Sequence, residues 1–143
     1  MWLLVWVQEQ IGTLLNKVKG SGSVKTGPIV EFEVTTYDDF VKRSVVGDNL
    51  EGQELWQHAN MKENGFATTR LSTEASKNNL VIAVNKDLHK EITAMQNNLN
   101  TSVLLPYDNI LVNAKILTDV KVSPDIVKDI FEKALEHMKN VTK

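Results

Sequence analysis

From Ile29 the chain alternates between apolar and polar positions. In "IVEFEVTTY", Val30, Phe32 and Val34 oppose Glu31, Glu33 and Thr35, the period of two that marks a half-buried strand. Lys42 and Arg43 follow, and "VVGDN" reads as a turn. Over Leu50 to Asn64 the spacing of Leu55, Trp56 and Ala59 predicts a helix, with Gly65 as its C-terminal stop. "ATTRLSTEASKNN" shows no apolar period and reads as a loop of a length that usually serves a function. The short apolar run "LVIAV", residues 80–84, predicts a buried strand. Asn85 then caps a helix over "KDLHKEITAMQNNL", with Asp87 in its first turn and Leu88, Ile92, Met95 and Leu99 on its apolar side. Two further amphipathic helices close the chain. One begins near Asp108 and uses Ile110, Leu111, Ala114 and Leu117; the other opens at "SPD", 123–125, with a capping serine and a first-turn proline.

The start of the chain differs from the rest. "MWLLVWV" is apolar for seven residues and then meets Gln8, Glu9 and Gln10, far short of the roughly 20 residues a spanning helix needs. No basic stretch precedes it and no small-residue cleavage site follows, so it does not read as a secretory signal. The start reads instead as that of a domain cut from a longer chain, or as an amphipathic helix in which Leu4, Val7, Ile11, Leu14, Leu15 and Val18 form a stripe suited to packing. "KGSGSVKTGP", 19–28, reads as a flexible linker. The expected organisation is therefore a leader and linker over 1–28 and one domain over 29–143, with an α+β, mainly helical fold.

Composition narrows the chemistry. The 143 residues are 42% hydrophobic and 24% charged, enough apolar material for a modest single core. A formal charge of -2 gives no general attraction to nucleic acid or anionic lipid, so any such binding needs a local basic patch. With no cysteine, disulfides and Cys-ligated zinc are excluded, and a metal would be held by His, carboxylates, Asn or backbone oxygens.

Three histidines and a few carboxylates carry the candidate chemistry. Glu51, Glu54 and His58 cluster in "NLEGQELWQHANMKENG", with Glu54 and His58 one turn apart if this stretch is helical, yet Gln53 among them is neither acid nor base. On pattern alone His58 reads as exposed on the helix surface, and His89, flanked by Asp87, Lys90 and Glu91, as a solvated helix residue. His137 reads as a surface residue that complements a helix dipole.

"RSVVGDNLEGQELWQHANMKENG" and "SKNNLVIAVNKDLHKEITAMQ", separated by a polar loop, resemble the HNH/endonuclease VII nuclease toxins at the C-termini of Rhs and contact-dependent inhibition proteins. The likeness covers residues 43–96 closely and the helical tail loosely. Such toxins typically read Leu-x-Gly-His-Glu in the first motif, then a stretch of Asn, Pro and small apolar residues, then a helix-borne histidine. Gly52, Glu54, Asn79 and His89 match; Gln53 stands where the family has histidine, and Leu80 where proline is common.

The resemblance implies a small ββα-metal-like core with additional helices. It implies a Mg or Zn ion near His89, Glu54 and Asn79, hydrolysis of DNA, and a catalytic set of position 53, Glu54 and His89, with position 53 as base or ligand. It also implies a cognate immunity protein as partner and delivery into the cytoplasm of a target cell. Arg70, Lys77, Lys86 and Lys90, the basic residues nearest the motifs, are the expected contacts to the phosphate backbone. With glutamine at position 53 the chain is expected to fold and to be nearly inactive. A zinc-protease site is excluded even with that histidine restored, because Gln57 stands where a second histidine would be needed. The competing expectation, from another class, is a nonenzymatic helical protein-binding module.

Overall fold

A computed structural model describes residues 26–143. The predicted leader and most of the linker lie outside the described residues. The elements run β1 (Val34–Thr36), α1 (Tyr37–Arg43), β2 (Leu50–Glu54), α2 (His58–Glu63), α3 (Glu74–Lys77), β3 (Leu80–Asn85), α4 (Lys86–Leu99), a single 3-10 turn (Thr101–Val103), α5 (Pro106–Asp119) and α6 (Pro124–Val141). The fold is α+β and mainly helical, as the patterning predicts.

The three strands form one antiparallel sheet in the order β1-β3-β2. β3 is central and buried on both faces, which explains why "LVIAV" is a continuous apolar run and not an alternation. Leu80, Ile82 and Val84 enter the main core with residues of α5 and α6, including Ile110, Leu117, Ile130 and Phe131. Val81 and Ala83 point the other way, into a smaller cluster with Ile29 and Phe40. β2 runs along the opposite edge from β1, with Gly52 opposite Ala83, Gln53 opposite Ile82 and Glu54 opposite Val81.

The helix expected over Leu50 to Asn64 is corrected. Residues 50–54 are strand β2, and helix begins only at His58. The apolar residues Leu50, Leu55 and Trp56 suit neither period uniquely, and pairing along β3 decides the outcome. A glycine inside a helix would also be unfavourable, whereas in β2 Gly52 is what the packing requires. A Cβ there would lie 3.2 Å from both Cδ1 and Cε1 of Phe40. The stop at Gly65 holds: its φ is +83°, and the Phe66 amide returns to the Met61 carbonyl at 2.8 Å.

The strand expected over Ile29–Tyr37 shrinks to three residues. Phe32 takes a left-handed φ of 67° in a turn, after which Glu33 faces inward instead of outward. Its carboxylate meets Arg43 at the end of α1, with Nη1 2.5 Å from Oε2 and Nη2 3.1 Å from Oε1. Sequence patterning missed α1 itself, although Thr36 caps it by accepting from the Asp39 amide and acids and bases sit at its proper ends. The polar loop 67–79 also contains a short helix, α3, capped by Thr73. The Asn85 cap of α4 is as expected, its Oδ1 accepting from the Leu88 amide at 2.9 Å. Among the described residues no helix is long and apolar enough to cross a membrane.

Candidate functional site

The end of β2 and the start of α2 meet α4 around a pocket of about 200 Å³, lined by Gly52, Gln53, Glu54, Gln57, His58, Ala59, Arg70, His89, Thr93 and Gln96. Strand alternation sends Gln53 and Glu54 to opposite faces of the sheet, so both reach one pocket only because β2 is an edge strand. α4 packs against β2 and β3. Its residues His89, Thr93 and Gln96 recur at intervals of four and three and so form one stripe along the helix. The structure thus brings the consecutive residues Gly52, Gln53 and Glu54 together with His89, which is distant in the sequence.

Glu54 is 7% exposed and held from two sides. Asn79 Nδ2 donates to its Oε2 at 2.7 Å and to the Trp56 carbonyl at 2.6 Å, tying the carboxylate to the turn after β2. Arg70 Nη2 lies 3.3 Å from Oε1, and its guanidinium stands 5.5 Å from the centre of the Tyr37 ring. Burial raises the Glu54 pKa above the ordinary carboxylate value, against the opposing pull of the Arg70 charge and the Asn79 hydrogen bond.

His58 is not on an open surface, as its pattern implied. It is half-buried at the first position of α2, and its Nε2 is sealed without a hydrogen-bond partner. Burial lowers its pKa, and the positive charges of Arg70 and Lys62 lower it further, so the ring is neutral at pH 7. Gln53 Oε1 is likewise sealed without a partner, in a residue 7% exposed. Such orphaned atoms are rare in native folds, and among the described residues two of the three belong to residues of one pocket.

The other expected residues fall outside the pocket. Glu51 lies on β2 but does not line it. Asn79, fully buried, stands behind Glu54 and offers it an N–H; its Oδ1 is sealed and unpaired. Lys77 pairs with Glu74 at 3.7 Å on α3. Lys86 and Lys90 are exposed on α4, where about 100° per residue puts them beside the His89 stripe on its solvent side. His137 is corrected from a surface residue: its Nε2 contacts the Ala75 carbonyl at 2.8 Å and its ring meets Trp56 edge-on at 6.0 Å.

Among the described residues no three His, Asp or Glu side chains converge closely enough to hold a metal ion. Glu54, the carboxylate that lines the pocket, is already engaged by Arg70 and Asn79, and Gln53 offers an amide oxygen where the resembling toxins have an imidazole. The residues present therefore do not fit a resident divalent ion.

From the pocket floor inward runs a group of amides that the sequence pattern did not reveal. Gln57, Asn109, Asn113, Gln96 and Thr101 are joined by hydrogen bonds of 2.5 to 3.2 Å. Asn109 and Asn113 stand four apart among Ile110, Leu111, Ala114 and Leu117, so two amides recur on the buried side of an amphipathic helix. That was the available signal. Comparison with family models, curated proteins and solved structures finds no match to this chain.

Proposed function

We propose that residues 29–143 form a nuclease domain of the polymorphic-toxin kind, which cleaves phosphodiester bonds of DNA at the mouth of the pocket between β2 and α4. The observation that carries this reading is the meeting of Gly52–Glu54 with His89. The two stretches that resemble the toxin motifs come from separate parts of the chain, and they line one pocket.

Phosphodiester hydrolysis needs a base for the attacking water and stabilisation of the charge that builds at phosphorus. His58, neutral at pH 7, has the protonation state of a base. Arg70, more than half exposed, can leave Glu54 for a phosphoryl oxygen. Position 53 is the deficient point, since glutamine cannot exchange a proton near neutral pH. The divalent ion that the resemblance implies would require a histidine there, and no step in this chain is assigned to it. Lys86 and Lys90 would supply the positive charge for a strand crossing the pocket mouth. A cognate immunity protein would bind over the same face, with delivery into a target cell as the biological setting.

The test restores the missing group. A Gln53→His chain is expected to nick supercoiled plasmid at least about 100-fold faster than the unaltered chain when Mg or Zn is present. His89→Ala in the same chain should abolish the gain without altering the thermal melt. No cleavage with either metal, or cleavage indifferent to His89→Ala, would remove the nuclease reading.

A further inference from the structure

The polarity of the pocket floor is fixed from behind. Asn109 is oriented by backbone at both ends, accepting from the Gln57 amide through Oδ1 at 3.0 Å and donating through Nδ2 to the Thr101 carbonyl at 3.0 Å. Asn113 is oriented by the Leu55 carbonyl, to which its Nδ2 donates at 2.8 Å, so its Oδ1 faces Gln96 and accepts from Nε2 at 3.0 Å. Both asparagines also direct an N–H at Gln57 Oε1, at 2.8 and 3.2 Å, and the Thr101 hydroxyl adds a third donor at 2.5 Å.

An amide whose oxygen receives three donors has only one orientation available. Gln57 Nε2 is therefore turned away from the cluster, and no described residue accepts from it. Gln96 is the converse case: its Nε2 is committed to Asn113, which leaves Oε1 as a free acceptor. Both glutamines line the pocket, and neither free atom is sealed within the protein. Both engage the same Asn113 amide, so one fixed donor and one fixed acceptor line the same pocket.

The charges inside the pocket do not favour an anion. Glu54 and Arg70 pair at 3.3 Å, and His58 is neutral. A neutral edge that offers an N–H beside a carbonyl or ring nitrogen matches this floor, and nucleobases carry such edges; glutamine amides read them in the same paired manner. A space of about 200 Å³ lies below the roughly 300 Å³ at which drug-sized sites begin, which suits one base.

We propose that the pocket holds one unstacked nucleobase of the bound strand, with Gln57 Nε2 donating to the base and Gln96 Oε1 accepting from it. This rests on the nuclease reading and names the part of the substrate that the pocket takes. The scissile phosphate then stays at the pocket mouth, where the exposed Arg70 can turn to it, and the strand continues past Lys86 and Lys90. No covalent step is involved.

The experiment measures fluorescence anisotropy of the full chain with two labelled single-stranded decamers in chelator, one of mixed sequence and one of the same backbone with every base removed. The intact strand should bind at least about tenfold more tightly than the abasic one. Gln57→Glu keeps the clamped oxygen and its three donors while replacing the N–H, so its melting temperature should hold. The affinity of this variant for the intact strand should fall about tenfold more than for the abasic strand, which registers the added charge alone. Equal binding of the two strands, or equal losses in the variant, would overturn the base pocket and leave the nuclease reading in place. If neither strand binds, both are overturned. Should Gln57→Glu not fold, the two strands on the unaltered chain still decide.

Discussion

Replacing Asn113 by alanine removes four hydrogen bonds, because its amide serves Leu55, Gln57, Asn109 and Gln96 together. Their losses are unequal. Gln57 Oε1 keeps Thr101 and Asn109, and Asn109 Oδ1 keeps the Gln57 amide. Gln96 Nε2 can turn toward pocket water. The Leu55 carbonyl has no replacement, since Leu55 is 1% exposed and Trp56 beside it fully buried. A carbonyl stranded this way costs about 1–3 kcal/mol, and each partly compensated bond about 0.5 kcal/mol, giving about 3 kcal/mol for Asn113→Ala. At roughly 4 °C per kcal/mol for a domain of this size, the melting temperature should fall by about 12 °C. Asn113→Asp keeps the volume but sets an oxygen against the Leu55 carbonyl and Gln57 Oε1, and it should cost at least as much. Calorimetric melts of the two variants separate hydrogen bonding from cavity formation. If both fall by less than about 3 °C, the amide cluster is not the stabilising element described above.

Two further predictions follow from the neighbourhood of β2. Glu54→Gln should raise the melting temperature at pH 8, because a carboxyl whose folded pKa exceeds its unfolded value of about 4.5 contributes stability below that value and loses it as pH rises through the folded one. The advantage of the variant should shrink toward pH 4, and a variant less stable throughout would contradict the burial argument. Gly52→Ala should cost about 1–3 kcal/mol in urea unfolding, as its Cβ presses on the Phe40 ring, and Phe40→Leu in the same chain should recover part of that loss.

The sequence was most legible where one signal sufficed. β3 announces itself by a short apolar run, and α4 by a capping asparagine with an acid one residue into the helix. β2 was misread because an edge strand with a central glycine carries little alternation, while Leu55 and Trp56 extend its apolar character into the following turn. That error placed Glu54 and His58 on one helix face for the wrong reason; they share a pocket because a turn joins the strand to the helix. The amide cluster was hidden for a different reason. Asparagine and glutamine are usually exposed, and the partners of Gln57 lie 44 to 56 residues further along the chain. Arg70 could be placed near the motifs from sequence, but its pairing with Glu54 depends on a loop conformation that no local pattern encodes.

The order of the sheet also governs when the pocket can exist. β1 and β2 are nearest neighbours among the strands along the chain, yet each pairs only with β3, so no hairpin forms between them. During synthesis the first two strands emerge with nothing to pair against until residues 80–85 have followed. Closing those long loops raises the entropic cost of the sheet and slows its assembly. The helices from Lys86 onward close their hydrogen bonds locally in sequence and do not depend on that pairing. A chain ending after α3 would contain Gln53, Glu54, His58 and Arg70 with no central strand to hold them in place.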